Sequence, residues 1–316
     1  MKRIIALALA VLMLASLAAC GGSGSGKYKV GICQLVQHPA LDAATQGFQD
    51  ALTKQLGDKV EFDVQNASGE PANCTTIVNG FVSSNVDLIM ANATPALQAA
   101  KEATATIPIL GTSVADYASA LEIDGWTGTV GTNISGTSDL APLDGQAAMI
   151  KELFPDAKTV GILYCSSEAN SQYQVDVITG YLTDLGFTVT PYSFTDTNDV
   201  ASVAQKACDS DVIYIPTDNT AASNTEAIAN VVLPAKVPVV AGEAGICQGC
   251  GVATLSISYY DLGYATGLMA AKVLTGEAKI SEMPVQYAPE FTKQYNAANC
   301  DALGITIPGD YTPLEG

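Results

Sequence analysis

The feature that most constrains the fold of this chain is an internal duplication of alternating strand and helix patterns. Short Val- and Ile-rich runs alternate with helical stretches from residue 27 onward, and the series begins again near residue 159. Equivalent positions of the two copies lie 130, 124 and 130 residues apart: Val30 and Val160, Asp87 and Asp211, Ile107 and Val237. Apolar strands separated by helices are typical of parallel sheets that are covered on both faces. The sequence therefore predicts an α/β fold with two similar lobes, each built on a doubly wound parallel sheet.

Strands and helices alternate along both copies. The first copy predicts strands over 29–33, 60–64, 86–91 and 107–110, and helices over 41–56, 73–84 and 95–105. The second copy predicts strands over 159–165, 187–192, 211–215 and 237–240, and helices over 171–185, 200–207 and 220–232. Thr94 is the predicted N-cap of the third helix, because a hydroxyl caps well and Pro95 suits the first helical position.

The tail after the second copy is too short to form a third lobe. It predicts a helix over 259–274, a short strand over 284–287 and a last helix over 296–303. We therefore expect three hinge crossovers between the lobes, near residues 133–139, near Ile257 and near Tyr287. The predicted lobes are residues 27–136 with 258–286, and residues 137–257 with 287–316.

The N-terminal segment has the pattern of an export signal. After Met1-Lys2-Arg3, an uncharged apolar run extends from Ile4 to Leu17. This run is shorter than the roughly 20 residues that span a bilayer, and it has the length and flanks of a secretory signal. The sequence predicts a signal peptide over 1–19 and a flexible Gly/Ser tether over 20–26. The string Leu17-Ala18-Ala19-Cys20 resembles the bacterial lipoprotein signal, which implies a lipidated Cys20 and an extracytoplasmic protein anchored to the cell membrane. The alternative is an ordinary secreted protein in which Cys20 is incidental.

The composition excludes several classes of function. The chain has 14 basic and 32 acidic residues and a net charge of −18, whereas a nucleic-acid-binding protein needs a basic face. Arg3 is the only arginine and His38 the only histidine. After the signal peptide, no guanidinium group is left to hold a carboxylate or phosphate ligand. With a single histidine, the chain is also poor in the residue that most general acid–base enzymes use.

Catalytic motifs are missing from the sequence as well. It contains no G-x-S-x-G elbow and no H-E-x-x-H string. We therefore expect no enzymatic activity. The alternative is a tethered hydrolase in which Glu168 and Glu243 form an acid–base pair.

Seven cysteines follow Cys20, and an odd number leaves at least one unpaired in an exported chain. Cys247 and Cys250 have C-x-x-C spacing in a predicted Gly-rich loop, but no second pair has the spacing of a zinc site. The pair is therefore either a local disulfide or two free thiols. Cys33 and Cys165 each end an apolar strand, where a small buried residue is expected.

Polar residues at the strand ends suggest a binding cleft, because ligands of open parallel sheets bind outside the carboxyl ends of the strands. The loops at these ends are 34–38, 92–94 and 112–113 in the first copy, and 166–171, 217–220 and 242–243 in the second. The helix start Thr94-Pro95-Ala96 offers free N–H groups and a hydroxyl that attract an anion. The loops of the second copy carry carboxylates that attract a cation: Glu168, Asp218 and Glu243. A zwitterion satisfies both, although Thr94, Ser171 and Asp218 are also suited to capping their helices alone.

Several strings resemble the substrate-binding lipoproteins of bacterial ABC transporters, and most closely the subgroup associated with tryptophan and tyrosine uptake. The strings are Gly31-Ile32-Cys33-Gln34-Leu35, His38-Pro39-Ala40-Leu41-Asp42, Ala93-Thr94-Pro95-Ala96, Gly136-Thr137-Ser138-Asp139-Leu140, Ser167-Glu168-Ala169-Asn170-Ser171, Pro216-Thr217-Asp218-Asn219, Gly242-Glu243 and Tyr259-Tyr260-Asp261-Leu262-Gly263. The resemblance implies a type I periplasmic-binding-protein fold whose two lobes close on a ligand and deliver it to an ABC permease in the membrane. Members of this family need no metal and no organic cofactor, and we expect a monomer.

The resemblance also implies roles for residues of the first lobe. Thr94 and the N–H groups behind Pro95, with Ser113, would hold a ligand carboxylate. Leu35 and Tyr117 would face an aromatic side chain.

Residues of the second lobe would hold the other end of the ligand. Asn170 and Ser171 would add amide and hydroxyl contacts, and Asp218, supported by Asn219 or Glu243, would take the ammonium. The complete predicted set is Gln34, Leu35, Thr94, Pro95, Ala96, Ser113, Asp139, Glu168, Asn170, Ser171, Asp218, Asn219 and Glu243.

The predicted ligand is a small zwitterion, with an aromatic amino acid favoured. The alternative is another small solute, such as a sugar or a nucleoside. Sugar sites typically place the ring between aromatic side chains, but the only tryptophan, Trp126, is far in sequence from every strand-end loop. A sensor or adhesin that binds without delivering its ligand would have the same sequence features.

Overall fold

Six parallel strands form the first of two sheets in the computed structural model, which describes residues 26–314. In spatial order they are β11 (Gln286–Tyr287), β5 (Ile134–Ser138), β4 (Ile109–Val114), β3 (Leu88–Asn92), β1 (Tyr28–Gln34) and β2 (Val60–Asn66). The predicted signal peptide, the lipidation site Cys20 and the tether up to residue 25 lie outside the described residues.

Seven other strands within residues 26–314 form the second sheet. Their order is β13 (Thr312–Pro313), β12 (Thr292–Tyr295), β10 (Ala253–Ser256), β9 (Val239–Ala241), β8 (Val212–Ile215), β6 (Thr159–Cys165) and β7 (Thr188–Phe194). Neighbouring strands are parallel except for β10 and β12, which are antiparallel. The predicted α/β fold with two doubly wound lobes is confirmed, and the antiparallel pairing of β10 with β12 is a feature that the sequence pattern does not predict.

Helices cover both faces of both sheets. They are α1 (Pro39–Leu56), α2 (Pro71–Ser83), α3 (Thr94–Ala103), α4 (Tyr117–Leu121), α5 (Leu143–Leu153), α6 (Ala169–Asp184), α7 (Val200–Ala207), α8 (Asn219–Ala222), α9 (Thr225–Ala235), α10 (Ala244–Cys250), α11 (Tyr259–Leu274) and α12 (Ala297–Leu303). Within residues 26–314, none of them combines the length and the apolar composition needed to cross a bilayer.

Each sheet has an apolar core on both of its faces. On the first sheet, α1 and α11 pack over one face around Phe48, and α2, α3 and α4 cover the other around Phe81. On the second sheet, α5 and α6 pack around Ile178, while α7, α9 and α10 cover the opposite face around Val232. Strands buried on both faces carry continuous apolar runs, which is why the sequence pattern located them.

Three local predictions are wrong. The helix predicted over 220–232 is two helices, α8 and α9, which are separated at residues 223–224. Cys247 and Cys250 lie on α10 as buried free thiols, not in a loop, because the Glu243 side chain caps a helix at that point. Thr94 is the first helical residue of α3, and Ala93 occupies the N-cap position without a side-chain capping bond.

The chain passes between the two sheets three times within the described residues. The crossings lie between β5 and α5, between β10 and α11, and between β11 and β12. β5 extends to Ser138 and β11 to Tyr287, slightly past the lobe boundaries predicted at residues 136 and 286. Asp139, the first residue after β5, therefore lies on the first crossing.

Glycines allow α1 and α11 to pack backbone against backbone. A Cβ atom added at Gly263 of α11 would collide with the carbonyl oxygen of Ala44 of α1. One added at Gly47 of α1 would collide with the carbonyl oxygen of Tyr260. Any larger residue would force the two helices apart, so these glycines hold α11 close to the first lobe after the second crossing.

We expect Gly263→Ala to lower the free energy of unfolding by about 1–3 kcal/mol, because overpacking a tight interface displaces its backbone. Gly80→Ala is a matched control, since Gly80 lies inside α2 and an added Cβ would have no neighbour within 4 Å. Helix propensity should stabilise that variant by up to about 1 kcal/mol. Urea denaturation of both variants measures the difference, and equal effects would contradict the interface described above.

Candidate functional site

The strand-end loops of the two lobes meet around one small cavity. Its lining includes Ser113 and His38 from the first lobe, Asp139 from the first crossing, and Asn170 and Asp218 from the second lobe; the others are Leu41, Thr217, Asn219, Ala222, Glu243 and Tyr259. The cavity has a volume of about 10 Å³, which is room for roughly one water molecule. The lobes are therefore closed on each other, and six of the predicted site residues line the same cavity.

A larger hollow of about 270 Å³ adjoins the cavity at Asn219. It lies between the lobes and is lined by three further residues of the predicted set, Leu35, Pro95 and Glu168. Its remaining lining residues are Val36, Ser68, Gly69, Glu70, Pro71, Cys165, Ser167, Thr195, Asp196, Thr197, Thr220 and Ser223. The first-lobe wall carries several apolar side chains, whereas the second-lobe wall is mostly hydroxyl and carboxylate.

Buried polar atoms without a partner inside the protein collect at the cavity. Within residues 26–314 there are seven such side-chain atoms, and four belong to cavity-lining residues: His38 Nδ1, Ser113 Oγ, Asp139 Oδ1 and Asn170 Oδ1. A fifth, Thr94 Oγ1, lies at the start of α3. Most buried polar groups in proteins are hydrogen-bonded, so this concentration marks the cavity as a place where a polar ligand would complete the bonding.

Asp218 is saturated by the protein itself. Its Oδ2 atom accepts hydrogen bonds from the Cys165 N–H at 2.6 Å and the Ser171 hydroxyl at 2.7 Å. Its Oδ1 atom accepts from the Ala221 N–H at 2.8 Å and so caps α8. Burial, reinforced by the nearby Glu168 carboxylate, raises the pKa of Asp218 to about 8. Asp218 therefore positions the loop around it and has no oxygen left without a partner.

Glu168 has an even denser set of donors. Its Oε1 atom accepts from the N–H and the hydroxyl of Thr220, both at 2.8 Å. Its Oε2 atom accepts from the N–H of Asn219 at 3.0 Å, from the Asn219 side-chain amide at 2.7 Å and from the Asn170 amide at 3.2 Å. The side chain thus ties the start of α6 to the start of α8.

Glu243 and Asp139 differ in how well the protein satisfies them. Glu243 accepts from the N–H groups of Gly245 and Ile246 and caps α10, while burial raises its pKa to about 7. Asp139 accepts one bond, from the Tyr259 hydroxyl to Oδ2 at 2.7 Å, and its Oδ1 atom has no partner within the protein. Burial raises the pKa of Asp139 to about 6. Among the cavity carboxylates, Asp139 is the one with free bonding capacity.

The first-lobe side of the cleft is held in a strained backbone conformation. Ala93, which precedes α3, has a φ of 93°, and Ser113 in β4 has a φ of 55°. Non-glycine residues in this region of φ cost of order 1–3 kcal/mol and persist where the surrounding structure fixes them. Ser113 lies at an irregularity in the pairing of β4 with β5. Ala93 precedes Thr94, whose hydroxyl has no partner within the protein, and Ser113 carries such a hydroxyl itself.

Four residues with a predicted or expected ligand contact line neither the cavity nor the hollow. Gln34 donates to Asp42 at 2.6 Å and accepts from Thr45 at 2.7 Å, which fixes the loop between β1 and α1. The Ser171 hydroxyl donates to Asp218, and Ala96 is fully buried in the first-lobe core. Tyr117, which was expected to face an aromatic ligand, lies in that same core and stacks on Trp126 with ring centroids 6.5 Å apart.

The sequence interpretation missed five residues that line the cavity. They are His38, Leu41, Thr217, Ala222 and Tyr259. His38 and Thr217 stand in strand-end loops, so the loop rule contained the signal for both. Tyr259 begins a helix far away in sequence, and no local pattern indicates that its hydroxyl reaches Asp139. In the described part of the chain, no three His, Cys, Asp or Glu side chains are grouped as a metal site requires.

Comparison with known proteins identifies relatives of the whole described chain. A model of the ABC transporter substrate-binding protein family matches residues 29–312. A tyrosine-binding protein of Clostridioides difficile (strain R20291) is 35% identical over 280 residues, which is 87% of this chain and 81% of that protein.

Two solved structures differ in how closely they match. An ABC domain from Streptococcus pneumonia in complex with L-Trp has a TM-score of 0.86 at 33% identity and covers 90% of this chain and 97% of that one. The ligand-free, open structure of a substrate-binding protein with adhesive properties from Clostridium difficile has a TM-score of 0.70 at 38% identity, with 91% and 99% coverage. The L-Trp complex therefore has the higher TM-score at the lower identity.

We expect Asp218→Ala to lower the free energy of unfolding of the ligand-free protein by about 1–3 kcal/mol, because it leaves three donors without an acceptor. Folding raises the pKa of Asp218 from near 4 to about 8. The Asp218 carboxyl therefore adds most to the free energy of unfolding below pH 4, and its contribution declines as the pH rises towards 8. The loss should therefore be larger at pH 5 than at pH 8.

Urea denaturation at the two pH values measures this loss. Asp116→Ala is the control, because Asp116 caps α4 through a single bond from the Ser119 N–H. Its effect should be about 1 kcal/mol, as for an ordinary helix cap. A fully stable Asp218→Ala protein would contradict the structural role of Asp218.

Proposed function

The chain belongs to the family of ABC transporter substrate-binding proteins, and we propose that it captures an aromatic amino acid between its lobes for a membrane permease. This family consists of binding proteins rather than enzymes. Similarity to a tyrosine-binding protein and to an L-Trp complex, at 35% and 33% identity, supports an aromatic amino acid. The observation that carries the proposal is the group of unpartnered buried acceptors and hydroxyls around one cavity.

The ligand carboxylate binds at the first lobe in this proposal. The hydroxyls of Thr94 and Ser113 are buried and have no partner within the protein. The first N–H groups of α3 have no intrahelical acceptor, and the helix dipole favours an anion there. The strained backbone of Ala93 and Ser113 holds these donors in place before the ligand arrives. An arginine is therefore not required.

The ligand ammonium binds at Asp139 rather than at the predicted Asp218. Both oxygens of Asp218 already accept hydrogen bonds from the protein. Asp139 keeps one buried oxygen without a partner, and the same is true of the side-chain oxygen of Asn170. A cation at Asp139 offsets the desolvation of its carboxylate, which a buried charge requires.

The aromatic side chain occupies the adjoining hollow. The cavity at Asp139 has room for roughly one water molecule, so it fits only the polar head of an amino acid once the lobes separate slightly. The hollow of about 270 Å³ begins at Asn219 and offers Leu35, Val36 and Pro95 as apolar contacts. An aromatic ring buries most of its surface in a space of this size and composition.

A sugar or nucleoside receives less support. Trp126 stacks on Tyr117 in the core of the first lobe and is absent from the lining of both the cavity and the hollow. Tyr259 is the one Phe, Tyr or Trp residue that lines the cavity, and its hydroxyl donates to Asp139. No aromatic pair therefore lies across the cavity to hold a sugar ring.

Substrate-binding proteins of ABC importers are extracytoplasmic. We propose that cleavage before Cys20 and lipidation of that residue anchor this chain to the membrane, with residues 20–26 as the tether. The lobes we propose are residues 27–136 with 258–286 and residues 137–257 with 287–316, working as a monomer. The hinges between them open the cleft for ligand entry.

We expect tryptophan, tyrosine or phenylalanine to raise the melting temperature, because a ligand that binds only the native state stabilises it. A thermal-shift panel of the 20 amino acids, with glucose and adenosine as controls, identifies the ligand. Responses confined to glucose or adenosine would favour the alternative, and a panel without any amino-acid response would refute the proposal.

We expect Asp139→Asn to weaken amino-acid binding by about 2–5 kcal/mol, the range for losing one partner of a buried charge pair. Binding to the wild-type protein should also weaken as the pH falls below about 6, by at most about tenfold per unit, because the ammonium binds the ionised carboxylate. In Asp139→Asn, the part of this dependence of affinity on pH that comes from Asp139 should disappear.

Isothermal titration calorimetry at pH 5, 6 and 7 measures both effects. Asp144→Asn is the control, since Asp144 is an exposed acid on α5. Unchanged affinity in Asp139→Asn would remove this residue from the ammonium site. A similar loss in Asp144→Asn would point to a general charge effect instead.

A further inference from the structure

We propose that His38 sets the amine requirement of the ligand, because its Nδ1 atom accepts one N–H of a primary ammonium while its Nε2–H bonds to the opposite lobe. This inference rests on the proposed function and adds a residue that the sequence interpretation left out. The lone histidine thereby becomes both a specificity-determining residue and a contact between the lobes.

His38 lies where the two lobes meet. It precedes α1 in the first lobe, is 7% exposed and lines the cavity. Its Nε2 atom lies 3.4 Å from Oδ1 of Asn219, at the start of α8 in the second lobe. In the part of the chain that the structure describes, no other hydrogen bond joins the lobes away from the crossings. At this length the bond is weak enough to break when the cleft opens.

The orientation of Asn219 fixes the tautomer of His38. The Asn219 side-chain nitrogen donates to Oε2 of Glu168 at 2.7 Å, an atom that is surrounded by donors. The amide oxygen of Asn219 must therefore face His38, and an oxygen can only accept. The proton of the imidazole consequently lies on Nε2. Burial lowers the pKa of His38, so the ring is neutral at pH 7 and Nδ1 is a bare acceptor.

Hydrogen bonds from its nitrogen also fix the orientation of the Asn170 side-chain amide. Its nitrogen donates to the carbonyl oxygen of Thr217 at 2.9 Å and to Glu168 at 3.2 Å. Its oxygen is therefore the atom left at the cavity without a partner.

Three residues that line one cavity thus each carry an acceptor without a partner: His38 Nδ1, Asp139 Oδ1 and Asn170 Oδ1. All three are buried, and none has a donor within the protein. A primary ammonium carries three N–H donors and no acceptor, so its bonding capacity equals this set. The acceptors come from the first lobe, the first crossing and the second lobe, so one ammonium bonds to both lobes and favours their closure.

The assignment makes a chemical distinction among ligands. An N-methyl amino acid keeps its charge but has one donor fewer, and its methyl group meets an acceptor that stays unpaired. A buried acceptor left unpaired is costly. The wild-type protein should therefore prefer the primary amine over its N-methyl analogue by about 10- to 100-fold.

Two substitutions separate the two roles of the ring. His38→Gln keeps a terminal N–H₂ near the position of Nε2, which can still donate to Asn219, but removes the acceptor at Nδ1. His38→Asn places an amide oxygen near the position of Nδ1 and loses the reach to Asn219. Calorimetry with the amino acid that responds in the thermal-shift panel, and with its N-methyl analogue, gives the preference ratio of each protein.

We expect the ratio to approach one in His38→Gln and to persist in His38→Asn. A ratio that is unchanged in His38→Gln, or that falls equally in both variants, would overturn the assignment. If the wild-type protein binds no amino acid, the proposed function fails together with this inference. If it binds one but accepts the N-methyl analogue equally well, only this inference fails.

A spectroscopic readout does not depend on any variant folding. Since His38 is the only histidine, a ¹⁵N-histidine-labelled chain without a histidine tag gives the two ring nitrogens of this residue alone. We expect Nε2 protonated and Nδ1 unprotonated at pH 7, with the Nδ1 resonance shifting when the amino acid is added. A protonated Nδ1 in the complex would mean that His38 donates to the ligand, and this would refute the proposal.

Discussion

The cleft is organised by buried carboxylates that must find donors where no arginine is available. Glu168 accepts five hydrogen bonds from Asn170, Asn219 and Thr220. Asp218 accepts three, and Glu243 caps a helix with two. The first N–H groups of α8 and α10 supply half of these ten bonds, since the start of a helix stabilises a negative charge. These acids therefore build the second-lobe wall, whereas Asp139 has a single donor and keeps one oxygen without a partner.

The first lobe presents two of its polar contacts from one pair of helices. His38 precedes α1, and Tyr259, which bonds to Asp139, is the first residue of α11. Glycines bring the backbones of these two helices into direct contact. Both side chains therefore line the cavity from the same pair of helices.

The fold was largely predictable because its strands are buried on both faces. Such strands need continuous apolar runs, and β6, α7 and α11 begin and end where the sequence pattern predicts them. β5 and β10 have no predicted counterpart, since their small and hydroxyl residues give little apolar signal. The sequence predicts a loop for the C-x-x-C segment because its glycines disfavour a helix locally. The Glu243 cap and burial against the second-lobe core outweigh that propensity.

The sequence by itself determined that the chain has two lobes of one design, that polar residues follow their strands, and that no arginine lies among them. Parallel strands share one edge for their carboxyl ends, so these loops had to converge. Only the tertiary structure decided which carboxylates accept hydrogen bonds from the protein through both oxygens and which one keeps an oxygen without a partner. That depends on donors such as the N–H groups of Cys165 and Ala221 and the hydroxyl of Tyr259. These donors are brought to each carboxylate by packing between segments that are distant in sequence, and local propensity carries no information about such contacts.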